Sequence, residues 1–233
     1  MPHPPVVLIG GQLCTERLWQ DQLPALRALT DVTIAVPCED DTIAAMARRL
    51  LDQLPPRFSL VVHAMGGFVA FEMLRQAPDR VRSLVLLSTL APADTPVQTQ
   101  RREGYVRLVE AGNFAGVVEE RIPILLHPDR RGDAALVEVV RTMATDTGAD
   151  AFLRQQRAIM TRPDSRPGLA VIGCPALILF ARQDGIVTRE HQEEMLRAIP
   201  GARLEIVEAC GHMMTLEQPE QITRILADWV AAH

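Results

Sequence analysis

The sequence contains no lysine, few aromatic residues and no long apolar run. All 24 basic residues are arginine, as a GC-rich coding genome would produce, and aromatic residues make up only 4% of the 233 positions. Aliphatic side chains must therefore fill the core, and with 48% hydrophobic residues the chain is not expected to be disordered. No apolar run reaches the ~20 residues of a membrane-spanning helix. The net charge of −5 gives no electrostatic reason to expect nucleic acid or an anionic membrane as partner.

Cysteine is also scarce, and its spacing excludes two kinds of site. Cys14, Cys38, Cys174 and Cys210 are far apart and form no C-x-x-C pair, so neither a structural zinc site nor a disulfide framework is expected. The N-terminal residues MPHPPVVLIGG lack the basic and apolar regions of a signal peptide. These absences predict a soluble cytoplasmic protein, whose oligomeric state stays open.

Short apolar runs alternate with segments of helical periodicity. Helical stripes include Ile43, Met46 and Leu50, and near the C-terminus Ile222 and Leu226. Continuous apolar runs suit parallel strands that are covered on both faces. The pattern predicts an α/β fold with a mostly parallel sheet of about six strands flanked by helices. The predicted strands are residues 6–10, 31–36, 58–63, 81–88, 175–181 and 203–208.

Residues 91–173 interrupt this alternation, because no convincing strand occurs there. Four segments have helical spacing instead, separated at Gly112-Asn113, His127-Pro128-Asp129 and Thr147-Gly148. We therefore predict a four-helix insertion after the fourth strand. Its many arginines are interpreted as a solvated face, with recognition of an acidic substrate as the alternative. They are Arg101, Arg102, Arg107, Arg121, Arg130, Arg131, Arg141, Arg154, Arg157, Arg162 and Arg166.

Polar and glycine-rich residues follow four of the predicted strands, at the sheet edge where ligands bind in open α/β folds. The first strand ends in the sequence GGQL at 10–13, and the third in HAMGG at 63–67. The fifth ends in RQDG at 182–185, and the sixth in CGH at 210–212. In chain order these ends offer a strand-to-helix turn, an acid and a histidine.

This arrangement resembles the α/β-hydrolase superfamily. The resemblance rests on VVHAMGG, ILFARQDGIV, EACGHMMTLEQPEQI and LIGGQL, and it extends over nearly the whole chain. It implies a hydrolase core at 1–90 and 174–233 with a helical cap at 91–173. It also implies a triad of Ala64 at the nucleophile position with Asp184 and His212, and an oxyanion hole formed by the N–H groups of Gln12 and Met65. Leu13, Trp19 and Met213, together with Met65, are interpreted as the lining of an apolar acyl pocket, with a place in the core as the alternative.

The implied reaction is hydrolysis of a carboxylic ester or related acyl compound through an acyl-enzyme. The substrate would be a small molecule, and neither a metal nor a cofactor is expected, since Gly10-Gly11 lacks a G-x-G-x-x-G continuation. The superfamily also includes amidases, thioesterases, C–C hydrolases, dehalogenases and lyases, so the fold does not fix the substrate.

Ala64 departs from the family pattern, because its methyl group cannot attack a substrate. An engineered replacement of serine would leave Asp184 and His212 in place, as observed. Aspartate, the nucleophile of dehalogenases, is the alternative to serine. A natural alanine would instead indicate a ligand-binding protein, or an enzyme in which His212 acts directly as a general base. Val62, where the motif Gly-x-Ser-x-Gly has its first glycine, is a second departure and favours a natural alanine.

Three other reactive residues near these turns are interpreted as structural. His63 precedes Ala64, and its side chain is expected to point away from the reaction centre. Cys14 and Cys210 lie near the glycine loop and His212 but not on the turn, so both are interpreted as small buried hydrophobic residues.

Overall fold

Six strands form one sheet in the computed structural model, which describes residues 3–233. Every pairing between neighbouring strands is parallel, and the order across the sheet is β2-β1-β3-β4-β5-β6. The predicted fold class is therefore confirmed, and each strand lies within a residue or two of its predicted range. The strands are β1 (Val6–Ile9), β2 (Val32–Ala35), β3 (Phe58–His63), β4 (Val81–Leu87), β5 (Ala176–Ala181) and β6 (Arg203–Val207).

Helices cover both faces of this sheet. Those that alternate with the strands or follow them are α1 (Leu23–Arg27), α2 (Ile43–Gln53), α3 (Met65–Gln76), α8 (Arg189–Ala198), α9 (Met214–Glu217) and α10 (Pro219–Ala232). Four more lie between β4 and β5, where the sequence predicts four helices: α4 (Pro96–Glu110), α5 (Phe114–Leu125), α6 (Ala134–Thr147) and α7 (Ala149–Met160). The division of the chain into a core and a cap at 91–173 stays a prediction.

The core consists of two apolar layers separated by the sheet. Successive side chains of a strand point to opposite faces. Leu8 and Val61 accordingly pack in the layer beneath α1 and α10, which also takes apolar side chains of α4, α5 and α6. Ile9 and Val62 pack in the other layer, against α2, α3 and α8. Both layers are mainly aliphatic, as the low aromatic content predicts.

The strand order places a crevice at the carboxyl ends of β1 and β3. After β1 the chain forms β2 on one side, and then β3 on the other side of β1. The connections that leave β1 and β3 therefore diverge to opposite faces, and such a switch point is where open α/β sheets bind ligands. The residues at this point are Gly10 to Leu13 and His63 to Gly67.

None of the helices described within residues 3–233 combines the length and the apolar character needed to cross a membrane.

Candidate active site

The turn between β3 and α3 holds Ala64 in a strained conformation. Ala64 has φ 49° and ψ −113°, a region that residues other than glycine rarely adopt. Its N–H donates to the carbonyl of Leu87 (3.0 Å), and its carbonyl accepts from Oγ1 of Thr89 (2.7 Å). Strain of this kind persists where the surroundings fix the backbone, and it clusters at functional sites.

Close packing explains the glycine that follows the turn, and also the valine that precedes it. A Cβ on Gly66 would lie 2.5 Å from the carbonyl oxygen of Ile9, so α3 could not approach β1 if this residue were larger. Val62 is fully buried in the layer beneath α2 and α3. Its side chain therefore points into the core rather than to the turn, which explains why this position accepts valine instead of glycine.

Asp184 and His212 come together at the carboxyl ends of β5 and β6. Nδ1 of His212 lies 2.8 Å and 3.0 Å from the two carboxylate oxygens of Asp184. The Asp184 side chain is fully buried, and Oδ1 also accepts from the N–H groups of Ile186 and Val187. Burial by itself would raise the pKa of Asp184, but the His212 ring and these N–H donors lower it below its ordinary value. The carboxylate therefore stays ionised and fixes the orientation of the ring.

The loops that carry these two residues are held to each other and to α5. Gln183 and Cys210 exchange hydrogen bonds, from Gln183 N to the Cys210 carbonyl (3.0 Å) and from Cys210 N to Oε1 of Gln183 (3.1 Å). The end of α5 packs against the loop that carries Asp184, since a Cβ on Gly185 would lie 2.5 Å from the Ile124 carbonyl oxygen. Glycine in this Asp-Gly pair therefore permits the close approach of the inserted helix.

Two backbone N–H groups near Ala64 are available to a ligand. Met65 begins α3, so its N–H has no acceptor within the helix. Within residues 3–233, neither this N–H nor that of Gln12 donates to a protein acceptor. The neighbouring Leu13 N–H donates instead to Oε1 of Gln155 (3.1 Å), whose Nε2 donates to the carbonyl of Pro37 (3.0 Å). The fully buried Gln155 of α7 thus holds the loop that carries Gln12.

A cavity of about 110 Å³ joins these groups. The predicted site residues Gln12, Leu13, Ala64, Met65, His212 and Met213 all line it, and Asp184 lies directly behind His212. Trp19 does not line the cavity, because its side chain is fully buried in the layer beneath α1 and α10. A larger groove of about 1300 Å³ exists elsewhere, but its lining includes neither Ala64 nor His212.

The prediction that the His63 side chain points away from the reaction centre is wrong. Its ring lies against that of His212, with centroids 4.9 Å apart, instead of pointing away. Nε2 of His63 is 2.9 Å from the His212 carbonyl oxygen. Burial, followed by the nearby His212, lowers the pKa of His63 to about 3, so the neutral ring donates this hydrogen bond. His63 therefore supports the backbone of the His212 loop, which alternation along β3 alone does not reveal.

The two cysteines near the site have properties of buried thiols. Burial raises the pKa of Cys14 to about 12, and it also raises the pKa of Cys210. Because the thiolate is the nucleophilic form of cysteine, neither side chain is activated at neutral pH.

The comparison with protein families agrees with this geometry. A family model described as "Alpha/beta hydrolase family" matches residues 6–225. The chain belongs to this family. RutD of Pseudomonas savastanoi pv. phaseolicola, provisionally named a carbamate hydrolase, is 28% identical to this hydrolase over 250 residues, covering 98% of this chain and 94% of that protein. A pimeloyl-[acyl-carrier protein] methyl ester esterase from Nitrosomonas europaea is 28% identical over 216 residues, covering 88% and 81%.

Solved structures resemble this hydrolase along almost its full length. A malate-bound thermophilic esterase from Thermogutta terrifontis has 27% identity and a TM-score of 0.89, over 98% of this chain and 90% of that chain. The enol-lactonase from Burkholderia xenovorans LB400 also reaches a TM-score of 0.89, over 98% and 92%, but at 19% identity it supports the fold alone.

Several residues that line or support the cavity are not apparent from the sequence motifs. Thr89 and Gln155 fix the backbones of the two turns, although neither belongs to a strand-end motif. Ser88 follows β4 at φ 46°, lines the cavity, and has a buried hydroxyl without a partner in residues 3–233. Arg121 and Tyr105 reach the cavity from α5 and α4. A polar residue immediately after a buried strand, as at Ser88, is the one signal that could have identified part of this set.

Proposed function

We propose that the site belongs to a hydrolase of small carboxylic esters that works through a Ser-Asp-His triad, and that it lacks only the nucleophile oxygen. The observation that carries the proposal is the pairing of Asp184 with Nδ1 of His212 at 2.8 Å, beside a strained turn with Ala64 in the same cavity. Serine is the inferred missing residue because alanine is its one-atom truncation. An engineered change of serine to alanine would leave this arrangement behind.

With serine at position 64, each group would have a defined role. The serine Oγ would attack the acyl carbon while Nε2 of His212 takes its proton, and Asp184 would stabilise the imidazolium. The N–H groups of Gln12 and Met65 would donate to the developing oxyanion. His212 would then protonate the leaving alcohol, and a water activated by the same nitrogen would release the acid. The uncommitted Nε2 of His212 supports this proposal, since within the described residues it has no hydrogen-bond partner.

The size and lining of the cavity support a short acyl substrate. A cavity of about 150 Å³ holds benzene, so about 110 Å³ accommodates a short acyl chain beside the turn, while the leaving alcohol of the ester lies in the opening of the cavity. Leu13 and Met213 would contact the acyl chain. The names of the relatives support acyl transfer to water, since one is a methyl ester esterase and the other is provisionally a carbamate hydrolase.

The alanine itself favours a second candidate, a protein that binds acyl compounds without an acyl-enzyme. In that case His212, held by Asp184, would act as a general base on a water or on a substrate proton, as in a C–C hydrolase or lyase, or would only bind a ligand.

The test is to make Ala64→Ser and measure labelling by a fluorophosphonate probe and turnover of p-nitrophenyl esters of increasing chain length. We expect labelling at residue 64 and a preference for short acyl chains. Ser88→Ala in the same background is the matched control, because it removes another hydroxyl of the cavity and should leave labelling at residue 64 intact.

Two further variants of the Ala64→Ser protein test the proposed roles. Asp184→Asn and His212→Ala should each lower kcat by about a thousandfold or more. A folded Ala64→Ser protein that is neither labelled nor active would refute the serine-hydrolase proposal. Survival of full activity after either triad change would refute the assigned triad. If the unchanged protein, with Ala64, turns over a substrate and His212→Ala abolishes this turnover, the second candidate is favoured.

A further inference from the structure

Arg121 is a cation without an anionic partner in the wall of the cavity. It lies on α5, and no nitrogen of its guanidinium forms a hydrogen bond or ion pair with residues 3–233. Nη1 is out of contact with solvent and has no acceptor. The ring of Phe152, whose centroid lies 5.5 Å from the guanidinium carbon, is the aromatic contact that it makes. A ring at this distance compensates the charge only weakly.

The other arginines of the cavity differ from Arg121 in their surroundings. Arg102 and Arg162 share the buried carboxylate of Asp94, at 2.6 Å and 2.7 Å, whereas Arg101 is exposed. Asp94 is the one acidic residue among the described residues that line the cavity, and these contacts already occupy both of its oxygens. The cavity therefore carries excess positive charge, although the whole chain is acidic.

This arrangement opposes stability unless something else supplies the anion. Burial of an unpaired charge is unfavourable, because no protein dipole replaces the lost water. Arg121 as a whole is half-buried, and Nη1 is its buried nitrogen without an acceptor. Burial, followed by the neighbouring Arg102, lowers the pKa of Arg121 to about 10. Elsewhere in the insertion Arg141 contacts Glu119 and Glu138, and Arg107, which has no carboxylate partner, is exposed to solvent. A cation without an anionic partner is expected where a bound ligand supplies the missing anion.

We propose that Arg121 binds a carboxylate of the substrate, so that the ester entering this cavity is a short monoanion. The orientation of the ester towards residue 64 rests on the proposed function, whereas the binding of a carboxylate by Arg121 does not. The guanidinium presents paired N–H donors that match the two oxygens of a carboxylate. Because Ala64, His212 and Arg121 line one cavity of about 110 Å³, only a few carbon atoms can separate the ester from the carboxylate. The carboxylate can belong to the acyl part or to the alcohol part.

The first experiment measures binding to the protein as it exists, with Ala64, so that no turnover interferes. The probes are monomethyl succinate and its neutral analogue dimethyl succinate, titrated by calorimetry or NMR. We expect the monoanion to bind at least about tenfold more tightly than the diester. Arg121→Gln should remove this difference, and Arg121→Lys should retain part of it. Arg107→Gln, at an exposed arginine of α4 outside the cavity, is the matched control and should change neither affinity.

A second measurement separates binding from a structural role. Without ligand, Arg121→Gln should keep or raise the melting temperature, because it removes an unpaired charge. With monomethyl succinate, the parent should gain more in melting temperature than the variant. A lower melting temperature of the ligand-free variant, together with unchanged binding of the monoanion, would assign Arg121 a structural role and overturn the proposal.

Turnover by the Ala64→Ser protein identifies the part of the substrate that carries the charge. Faster hydrolysis of p-nitrophenyl hydrogen succinate than of p-nitrophenyl butyrate, lost in Arg121→Gln, would assign the carboxylate to the acyl part. Faster hydrolysis of acetoxyacetate than of its methyl ester would assign it to the alcohol part. If Ala64→Ser is inactive while Arg121-dependent binding persists, the ester chemistry fails and the carboxylate site stands. Equal binding of both succinates in parent and variant overturns the carboxylate site, whatever the activity.

Discussion

Replacing Ala64 by glycine should stabilise the folded protein, in contrast to the usual effect of glycine. Ala64 is held at φ 49° and ψ −113°, where a side chain is strained by about 1–3 kcal/mol. Glycine relieves this strain, but it adds about 0.4–1 kcal/mol of conformational freedom to the unfolded chain. The loss of a half-buried methyl group opposes stabilisation by about 0.4 kcal/mol. The expected net gain is about 1 kcal/mol, or about 2–4 °C in Tm for a chain of this size.

The assay is urea unfolding followed by circular dichroism, with two matched controls. Ala209→Gly should also stabilise, because Ala209 has the same φ of 49° but lies outside the cavity. Ala70→Gly should destabilise by about 1 kcal/mol or more, because Ala70 is fully buried within α3 and has no strain to relieve. If Ala64→Gly unfolds at a lower urea concentration than the parent, the turn is not strained, and the argument that it is maintained for function fails.

Three further predictions concern the groups that hold the site together. Gly66→Ala should destabilise the folded protein by about 1–3 kcal/mol, because the new Cβ would lie 2.5 Å from the Ile9 carbonyl oxygen. Gly168→Ala is the control: it has open space around it and should be nearly neutral in the same urea assay. Gln155→Leu should cost about 2–4 kcal/mol, because it leaves the Leu13 N–H and the Pro37 carbonyl without partners; an unchanged midpoint would mean that water replaces the glutamine. Asp184→Asn should reduce the loss of stability in acid. The pKa of Asp184 is lower in the folded protein than its ordinary value of 3.8, so ionised Asp184 stabilises the folded state fully above pH 3.8. This stabilisation is lost as the pH falls through the lower folded pKa. Parallel acid dependence of parent and Asp184→Asn in urea unfolding at neutral and acidic pH would contradict this linkage.

The elements of the fold were predictable because their signals are local. Each of the six strands is a short apolar run, and α2 and α10 have apolar stripes of helical period. The strand-end motifs around Ala64, Asp184 and His212 were predictable for the same reason, since turns after buried strands need glycine and small or polar residues. The order of these motifs along the chain and the family resemblance together led to the proposed site residues, and six of them line one cavity.

What the sequence could not reveal depends on contacts between distant segments. Whether Trp19 lines a pocket or fills the core depends on how the loop after β1 packs, and the structure buries it fully. The His63 ring meets His212 because β3 and the loop after β6 converge across 149 positions of the chain. Among many arginines on the inserted helices, only the tertiary structure distinguishes those that share Asp94 from Arg121, which lacks a carboxylate. Periodicity and turn signals determine the elements, whereas burial and charge pairing arise only when the elements pack, and these decide which residues can act on a substrate.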